Sequence, residues 1–88
     1  VGLTRALSNE WAARGVTVNA IAPGYVATEN TRALREDPAR SRELVARIPM
    51  GRFADPYEMA GAAVFLASDA SSYVTAQIIE VNGGQYSP

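Results

Sequence analysis

Two short apolar runs rich in β-branched residues, set far apart in the chain, constrain the fold most. Val16–Ala22 has only two polar interruptions, and Gln77–Val81 is a second run, closed by an Asn-Gly-Gly sequence. A nearly continuous apolar run is typical of a strand covered on both faces, as in a parallel sheet. Parallel strands need a long crossover, which the helical segments between the two runs can supply. The order of elements predicts an α/β fold, the back half of a doubly wound parallel sheet.

Three segments carry the periodicity and capping signals of helices. Their predicted bounds are Val1–Arg14, Pro38–Arg47 with Asp37 as its cap, and Asp55–Ala67. In the last of these, Asp55 can accept from first-turn amides and Glu58 can reach back to the cap, the pattern of a capping box. Gly15 can adopt the left-handed conformation that ends the first helix. A weaker helical turn is predicted around Thr31–Arg35.

The residue types that are missing exclude several classes of function. There is no Cys and no His, so disulfide scaffolds, thiolate chemistry and the commonest metal ligand are excluded, and no metal site is predicted. All eight basic residues are Arg and the formal net charge is -1, which gives no electrostatic basis for binding nucleic acid or an acidic membrane. No apolar run approaches the roughly 20 residues that span a bilayer. The absence of Cys fits a cytoplasmic protein.

Four motifs in register resemble those of the short-chain dehydrogenase/reductase family. Val18–Thr28 is similar to its strand and loop, in which Asn is followed by Pro-Gly and then by Thr four residues after the Gly. Gly51–Ala60 resembles its Arg-x-x-x-Pro-x-Glu helix start, and Phe65–Tyr73 and Val81–Gly84 are similar to its last helix and last strand. The resemblance covers essentially the whole chain.

The resemblance implies a Rossmann-like fold and an NAD(P)-dependent oxidoreductase that interconverts a secondary alcohol and a ketone by hydride transfer. Within the family, the sequence looks most like the sugar-acid dehydrogenases that act on deoxygluconate or gluconate. This similarity lies in Asn9–Ala12, in the Pro-Gly-Tyr loop and in the Arg-rich segment after that loop. NAD is slightly favoured over NADP, and a 3-ketoacyl-thioester reductase is the alternative among enzymes. The departures are Ala76, where Gly is usual, and Asn82, where Asp is usual. Neither is expected to affect the assignment.

The loop after the first predicted strand carries the candidate cofactor-binding residues. Ligands of open α/β sheets bind outside the carboxyl ends of the strands, where Pro23 and Gly24 lie. Gly24 allows the backbone to approach a planar ring, and Pro23 fixes the direction in which the chain leaves the strand. The resemblance implies that the backbone of Val26 and the hydroxyl of Thr28 bind the nicotinamide carboxamide, which presents one acceptor and an NH₂ donor. The alternative is that Pro23-Gly24 is a plain turn and Thr28 a helix cap.

The segment Tyr25–Ile48 is expected to cover the substrate. Its arginines could clamp a sugar-acid carboxylate, although a solvated helix face is the more common arrangement for any one of them. These arginines are Arg32, Arg35, Arg40, Arg42 and Arg47. The apolar stripe around Trp11, together with the apolar last helix and strand, predicts a homo-oligomer, a dimer or a tetramer, since the family commonly assembles through those elements.

No catalytic residue is assigned in this sequence. The family's acid/base Tyr is followed four residues later by a Lys, and this sequence has no Lys. Its only Gly pair, Gly83-Gly84, follows the last strand instead of preceding a helix. We therefore expect residues 1–88 to be the C-terminal portion of a single domain whose cofactor-binding and catalytic part lies upstream, and to be inactive alone. The alternative is a non-catalytic interaction or oligomerisation module, which the apolar helix faces disfavour.

Overall fold

The computed structural model describes residues 2–85 and shows helices, two strands and short 3₁₀ turns in that range. The strands are β1 (Ala20–Pro23) and β2 (Ile78–Val81). The α-helices are α1 (Gly2–Trp11), α2 (Arg32–Glu36), α3 (Pro38–Val45) and α4 (Tyr57–Ala67). The 3₁₀ turns are Ala12–Arg14, Glu29–Thr31 and Asp69–Ser71.

The strands β1 and β2 pair in parallel, as the two apolar runs predict. Ala20 lies opposite Ile78 and Pro23 lies opposite Val81. The pairing continues beyond β1, because the N–H of Gly24 donates to the carbonyl of Val81 at 3.1 Å. The crossover between the strands contains α4, which contacts both of them. The predicted parallel α/β arrangement is therefore present.

β1 starts four residues later than the predicted strand Val16–Ala22 and ends one residue later, at Pro23. Before Ala20, side chains take part of the place of backbone partners. Asn19 Nδ2 donates to the carbonyl of Val74 at 3.0 Å, and Asn19 Oδ1 accepts from the N–H of Gln77 at 3.0 Å. Regular pairing begins only at Ala20. For the same reason Gln77, predicted to open the second strand, precedes β2.

One partly buried hydrogen bond attaches α1 to the segment that leads into β2. The hydroxyls of Ser8 and Thr75 are 2.5 Å apart, and Ser8 is only 2% exposed. Thr75 Oγ1 also accepts from the N–H of Val18 at 3.1 Å. Thr75 therefore joins α1, the approach to β1 and the approach to β2 at a single side chain.

Two helices end earlier than the sequence predicts. The first predicted helix runs to Arg14, but α1 ends at Trp11 and the chain continues as a 3₁₀ turn. Gly15 then has φ 80°, the left-handed conformation predicted for it. The helix predicted to reach Arg47 ends at Val45. Helix ends commonly tighten into 3₁₀-type bonding, which a periodicity argument does not resolve.

The predicted capping hydrogen bonds are present, although α4 begins at Tyr57, two residues after the predicted start at Asp55. Asp37 accepts from two first-turn amides of α3, at 3.1 and 3.2 Å. Asp55 Oδ1 accepts from the N–H of Tyr57 at 3.0 Å, and Glu58 Oε1 accepts from the N–H of Asp55 at 2.8 Å. The weak helical turn expected around residues 31–35 is present as α2.

Ala76, where the family that the sequence resembles usually has Gly, has a special backbone conformation. Ala76 has φ 61°, in the left-handed region. A Cβ in that region costs on the order of 1 kcal/mol, because it approaches the following carbonyl oxygen. The departure noted in the sequence therefore carries a local strain.

The described residues bury little apolar surface of their own. Ile48, 4% exposed, is the single buried apolar residue in the range 2–85, whereas Leu3 is 71% and Val64 66% exposed. The accessible surface is 6421 Å², against about 5000 Å² for a compact protein of this mass. The Cα radius of gyration is 15.8 Å, against about 12 Å for a compact chain of this length. These apolar faces are therefore available for contacts outside the described residues.

Hydropathy sets one further limit on the fold. Among residues 2–85, no helix has the length and apolar character that crossing a membrane requires.

Candidate functional site

The carboxyl ends of β1 and β2 meet at one edge of the sheet, and an open groove of about 310 Å³ lies there. Its lining residues are Ala22, Pro23, Gly24, Tyr25, Glu80, Asn82 and Gln85. Ligands of open parallel sheets bind at this edge. Two of the residues expected to bind a cofactor, Pro23 and Gly24, lie in the groove, whereas Val26 and Thr28 follow it along the same loop.

Gly24 is crowded by the chain that leaves the neighbouring strand. A Cβ on Gly24 would be 2.9 Å from both Cα and Cβ of Asn82. Real Cβ atoms do not approach other heavy atoms so closely, so the close passage of two backbones requires a glycine here. This packing role exists in addition to the ligand approach expected from the sequence.

Asn82, noted only as a departure in the sequence, organises the turn after β2. Its Oδ1 accepts from the N–H of Gly84 at 3.0 Å, and its Nδ2 donates to the carbonyl of Gln85 at 2.9 Å. An ionised Asp can only accept, so it could not make the second bond. Asn82 is a residue at the groove that sequence reasoning missed.

Ala54 brackets Val26 from one side. The N–H of Ala54 donates to the carbonyl of Tyr25 at 2.9 Å, and the carbonyl of Ala54 accepts from the N–H of Ala27 at 2.8 Å. In a trans peptide the N–H and C=O groups point in opposite directions. The N–H and the carbonyl of Val26 therefore both point away from Ala54. The rings of Tyr25 and Phe53, with centroids 5.9 Å apart, pack the same two segments together.

The two backbone groups of Val26 differ in what they bind. Its carbonyl accepts from Thr31 Oγ1 at 2.7 Å and from the N–H of Thr28 at 2.9 Å. Within residues 2–85, the N–H of Val26 makes no hydrogen bond. An unpaired backbone donor of fixed direction can donate to an acceptor outside the chain, either a ligand or water.

Thr28 lies at the start of the 3₁₀ turn and is exposed. Its carbonyl accepts from the N–H of Thr31 at 3.1 Å and from Arg35 Nη2 at 2.9 Å. Thr28 is the residue before the 3₁₀ turn, and its side chain and that of Thr31 face each other's backbone N–H groups as in a capping box, which agrees with the capping alternative. Thr31 and Arg35 hold this loop together, and only the side-chain contacts reveal that role.

The segment that presents Ala54 is fixed by an ion pair. Arg52 Nη1 and Nη2 donate to the two carboxylate oxygens of Glu58, at 2.6 and 2.8 Å. The hydrogen bond from Arg52, and then that from the N–H of Asp55, lower the pKa of Glu58 to about 2. The same pairing raises the pKa of Arg52. Both charges are thus maintained throughout the physiological range.

Most of the arginines once considered for a carboxylate clamp are engaged locally. Arg32 pairs with Glu29 at 3.1 Å and with Glu36 at 3.0 Å. Arg47 pairs with Glu43 at 3.3 Å, while Arg40 and Arg42 are exposed. These pairs at helical spacing agree with the solvated-face alternative.

A profile of the family described as "Enoyl-(Acyl carrier protein) reductase" matches residues 1–86 of this chain. The 2-dehydro-3-deoxy-D-gluconate 5-dehydrogenase of Pseudoalteromonas atlantica is 61% identical over 82 residues, 93% of this chain and 32% of that protein. The acetoacetyl-CoA reductase of Rhizobium meliloti is 50% identical over 86 residues, 98% of this chain and 35% of that protein.

A solved structure from Agrobacterium tumefaciens, described as a 2-deoxy-D-gluconate 3-dehydrogenase with bound NADP, superimposes with a TM-score of 0.91. The two sequences are 57% identical, and the match covers 94% of this chain and 34% of that one. The expected Rossmann-like α/β fold is thereby confirmed. This chain spans about a third of the length of the relatives it matches. On sequence and structure together, it belongs to the short-chain dehydrogenase/reductase family.

Proposed function

We propose that this chain is the C-terminal portion of the single Rossmann-like domain of an NAD(P)-dependent oxidoreductase. The enzyme interconverts a secondary alcohol and a ketone by hydride transfer, with a sugar acid as substrate. The observation that carries this proposal is the N–H of Val26, which lies beyond the carboxyl edge of the sheet, points away from Ala54 and is unpaired within residues 2–85.

In this proposal the Val26 loop orients the nicotinamide ring. The N–H of Val26 donates to the carboxamide oxygen, and the hydroxyl of Thr28 accepts from the carboxamide NH₂ group. The carbonyl of Val26, included in the expectation from sequence, already accepts two hydrogen bonds here, so the Thr28 hydroxyl is the preferred acceptor. Pro23 and Gly24 form the floor against which a planar ring can lie. The cofactor supplies the hydride chemistry, and this loop determines which ring face meets the substrate.

The relatives support a sugar acid as substrate and give one alternative a specific basis. The Pseudoalteromonas relative is named for a deoxygluconate derivative. The Rhizobium relative is named for a ketoacyl thioester and matches nearly the whole chain. Oxidation of gluconate and 2-dehydro-3-deoxygluconate by the full-length protein, compared with reduction of acetoacetyl-CoA, separates the two. Turnover of the thioester alone would replace the sugar-acid assignment.

The cofactor preference remains part of the proposal. The slight preference for NAD expected from sequence gains no support from the Agrobacterium structure, which contains NADP. The same assays run with each dinucleotide measure the preference directly.

The remaining parts of the proposal concern assembly and the role of the segment. Residues 25–48 cover the substrate, and the apolar faces of α1 and α4 form contacts in a cytoplasmic homotetramer. Leu3 and Val64, both mostly exposed, support such contacts. The competing proposal, a free-standing non-catalytic module, requires the 88-residue chain to unfold cooperatively as a soluble species. Calorimetry on the isolated chain tests this, and aggregation or an uncooperative profile excludes the module.

A further inference from the structure

We propose that the Arg52–Glu58 ion pair is a positioning unit that fixes the direction of the Val26 N–H. The inference rests on the proposed function, since that N–H is the group assigned to the nicotinamide carboxamide. Both residues are far in sequence from the candidate cofactor-binding residues. Their influence on the direction of the Val26 N–H passes through the peptide planes on either side of Ala54.

The first step joins the ion pair to a backbone amide. Arg52 holds both carboxylate oxygens of Glu58, at 2.6 and 2.8 Å. Glu58 Oε1 in turn accepts from the N–H of Asp55 at 2.8 Å. A bidentate guanidinium restricts the carboxylate to one orientation, which fixes the position of the oxygen that receives this N–H.

The second step crosses the peptide between Ala54 and Asp55. The N–H of Asp55 and the carbonyl of Ala54 belong to the same planar group and point in opposite directions. Glu58 holds one end of this plane, and the N–H of Ala27 holds the other at 2.8 Å. The orientation of the Ala54 carbonyl is therefore set from both sides.

The third step reaches Val26. Ala54 bonds the Tyr25 carbonyl and the Ala27 N–H, which lie in the two peptide planes that flank Val26. The Val26 N–H shares a peptide plane with the Tyr25 carbonyl, which accepts from the N–H of Ala54 at 2.9 Å. That Ala54 N–H shares its own peptide plane with the Phe53 carbonyl, which accepts from Arg52 Nη1 at 3.3 Å. Glu58 and Arg52 thus hold the two peptide planes of Ala54, and through them the two planes that flank Val26, one of which carries the Val26 N–H.

Because the ion pair is exposed, we infer that it contributes mainly to the orientation of the Val26 N–H and little to the stability of the fold. The side chains of Arg52 and Glu58 are 52% and 41% exposed, and exposed ion pairs add little to stability. Hydride transfer, in contrast, is sensitive to small errors in the placement of the reacting ring. Loss of the pair is therefore expected to affect nicotinamide binding more than folding.

The test compares nucleotides with and without the nicotinamide ring. In the full-length protein, Glu58→Gln and Arg52→Gln are titrated calorimetrically with NADP and with 2′-phospho-ADP-ribose, and in parallel with NAD and ADP-ribose. We expect the affinity for the nicotinamide-containing nucleotide to fall about tenfold, while that for the matched ring-free nucleotide is unchanged. Equal losses for both, or no loss for either, overturn the proposal.

A charge exchange distinguishes this positioning role from a simple surface ion pair. The double variant Arg52→Glu with Glu58→Arg restores attraction between the two side chains but removes the acceptor of the Asp55 N–H. We expect it to bind nicotinamide nucleotides at least as poorly as Glu58→Gln, since Gln keeps an amide oxygen near the Asp55 N–H and Arg does not. Recovery of the parent affinity would mean that charge attraction alone is required and would overturn the relay through Asp55.

Two further variants separate this inference from the proposed function. Glu43→Gln removes another exposed ion pair, with Arg47, and is expected to leave both affinities unchanged. Val26→Pro removes the N–H itself and is expected to lower the affinity for the ring-containing nucleotide; Thr28→Val gives the same comparison in case Val26→Pro does not fold. If those substitutions have no effect, the proposed function fails. If they lower affinity and Glu58→Gln does not, only the positioning role fails.

Discussion

The Cα of Gly24 faces the backbone of Asn82 so closely that a Cβ at Gly24 would be 2.9 Å from Asn82 Cα. The chain leaving β1 and the chain leaving β2 therefore pass each other at the edge where the groove lies. This approach joins the expected cofactor-binding loop to the turn after the last strand.

Gly24→Ala is expected to destabilise the full-length protein by about 1–3 kcal/mol, because the new methyl group overlaps backbone that cannot yield. Chemical denaturation of both proteins measures the difference. Gly61→Ala is the matched control, since a Cβ on Gly61 meets nothing within 4 Å and α4 gains helix propensity, by about 0.5–1 kcal/mol. A neutral Gly24→Ala would contradict the close passage.

Ala76→Gly is expected to stabilise the protein by up to about 1 kcal/mol, because it removes the left-handed strain at φ 61°. The extra flexibility of glycine in the unfolded chain reduces this gain. Ala60→Gly, in the exposed part of α4, should destabilise by about 1 kcal/mol instead. Thermal unfolding of the two variants beside the parent protein should therefore show a higher melting temperature for Ala76→Gly and a lower one for Ala60→Gly.

Thr28→Val is expected to weaken binding of the nicotinamide-containing nucleotide and to lower turnover, with little loss of stability. Thr28 is exposed, so the substitution removes a hydroxyl without opening a cavity in the fold. Steady-state kinetics and thermal unfolding, measured on the same preparation, separate the two effects. Unchanged cofactor affinity and turnover would remove Thr28 from the proposed site.

The contribution of the Arg52–Glu58 pair to stability should depend on pH in one direction. The folded pKa of Glu58 is lowered to about 2 from its usual 4.5, so the stabilisation is fully present above the usual value and is lost as pH falls towards 2. The stability difference between the parent and Glu58→Gln should therefore shrink between pH 4.5 and 2. Denaturation at a series of pH values measures it, and a difference that grows on acidification would be inconsistent with this pairing.

Leu3→Glu should reduce the oligomeric mass of the full-length protein, because it places a charge on the exposed apolar face of α1. Leu3 is 71% exposed within the described chain. Size-exclusion chromatography with light scattering gives the mass directly. Arg5→Glu, on the same helix but outside the apolar stripe, serves as the control and should leave the mass unchanged. A monomeric parent protein would remove the homo-oligomer from the proposal.

The features that could be predicted from the sequence are those formed between residues a few positions apart in the chain. The Asp55 and Glu58 capping box follows from residue types at fixed spacing, and the left-handed Gly15 from its place after a helix. The start of β1 could not be predicted, because the hydrogen bonds of Asn19 reach residues more than fifty positions away.

In the candidate site, too, features that depend on adjacent residues could be predicted, and contacts between distant segments could not. The Pro-Gly loop was predicted to bind a ligand because it follows a strand, and the structure places Pro23 and Gly24 in the groove. The bracketing of Val26 by Ala54 was not, because no local pattern indicates that two loops meet in a single bridge. The Val26 carbonyl accepts hydrogen bonds from both Thr28 and Thr31. This also could not be predicted, because it depends on the geometry of the turn after Val26.

Both ends of the excursion between β1 and α4 are attached to the same edge of the sheet. Ala54 is bonded to Tyr25 and Ala27 next to β1, and the N–H of Met50 donates to the carbonyl of Gly83 just beyond β2 at 3.0 Å. Residues 36–47 follow the contacts that Thr31 and Arg35 make with the Val26 loop. Their sequence and length can therefore diverge without moving the anchors on either side. In the proposed function this segment covers the substrate, so substitutions within it can change the substrate while the anchored parts of the loop stay the same.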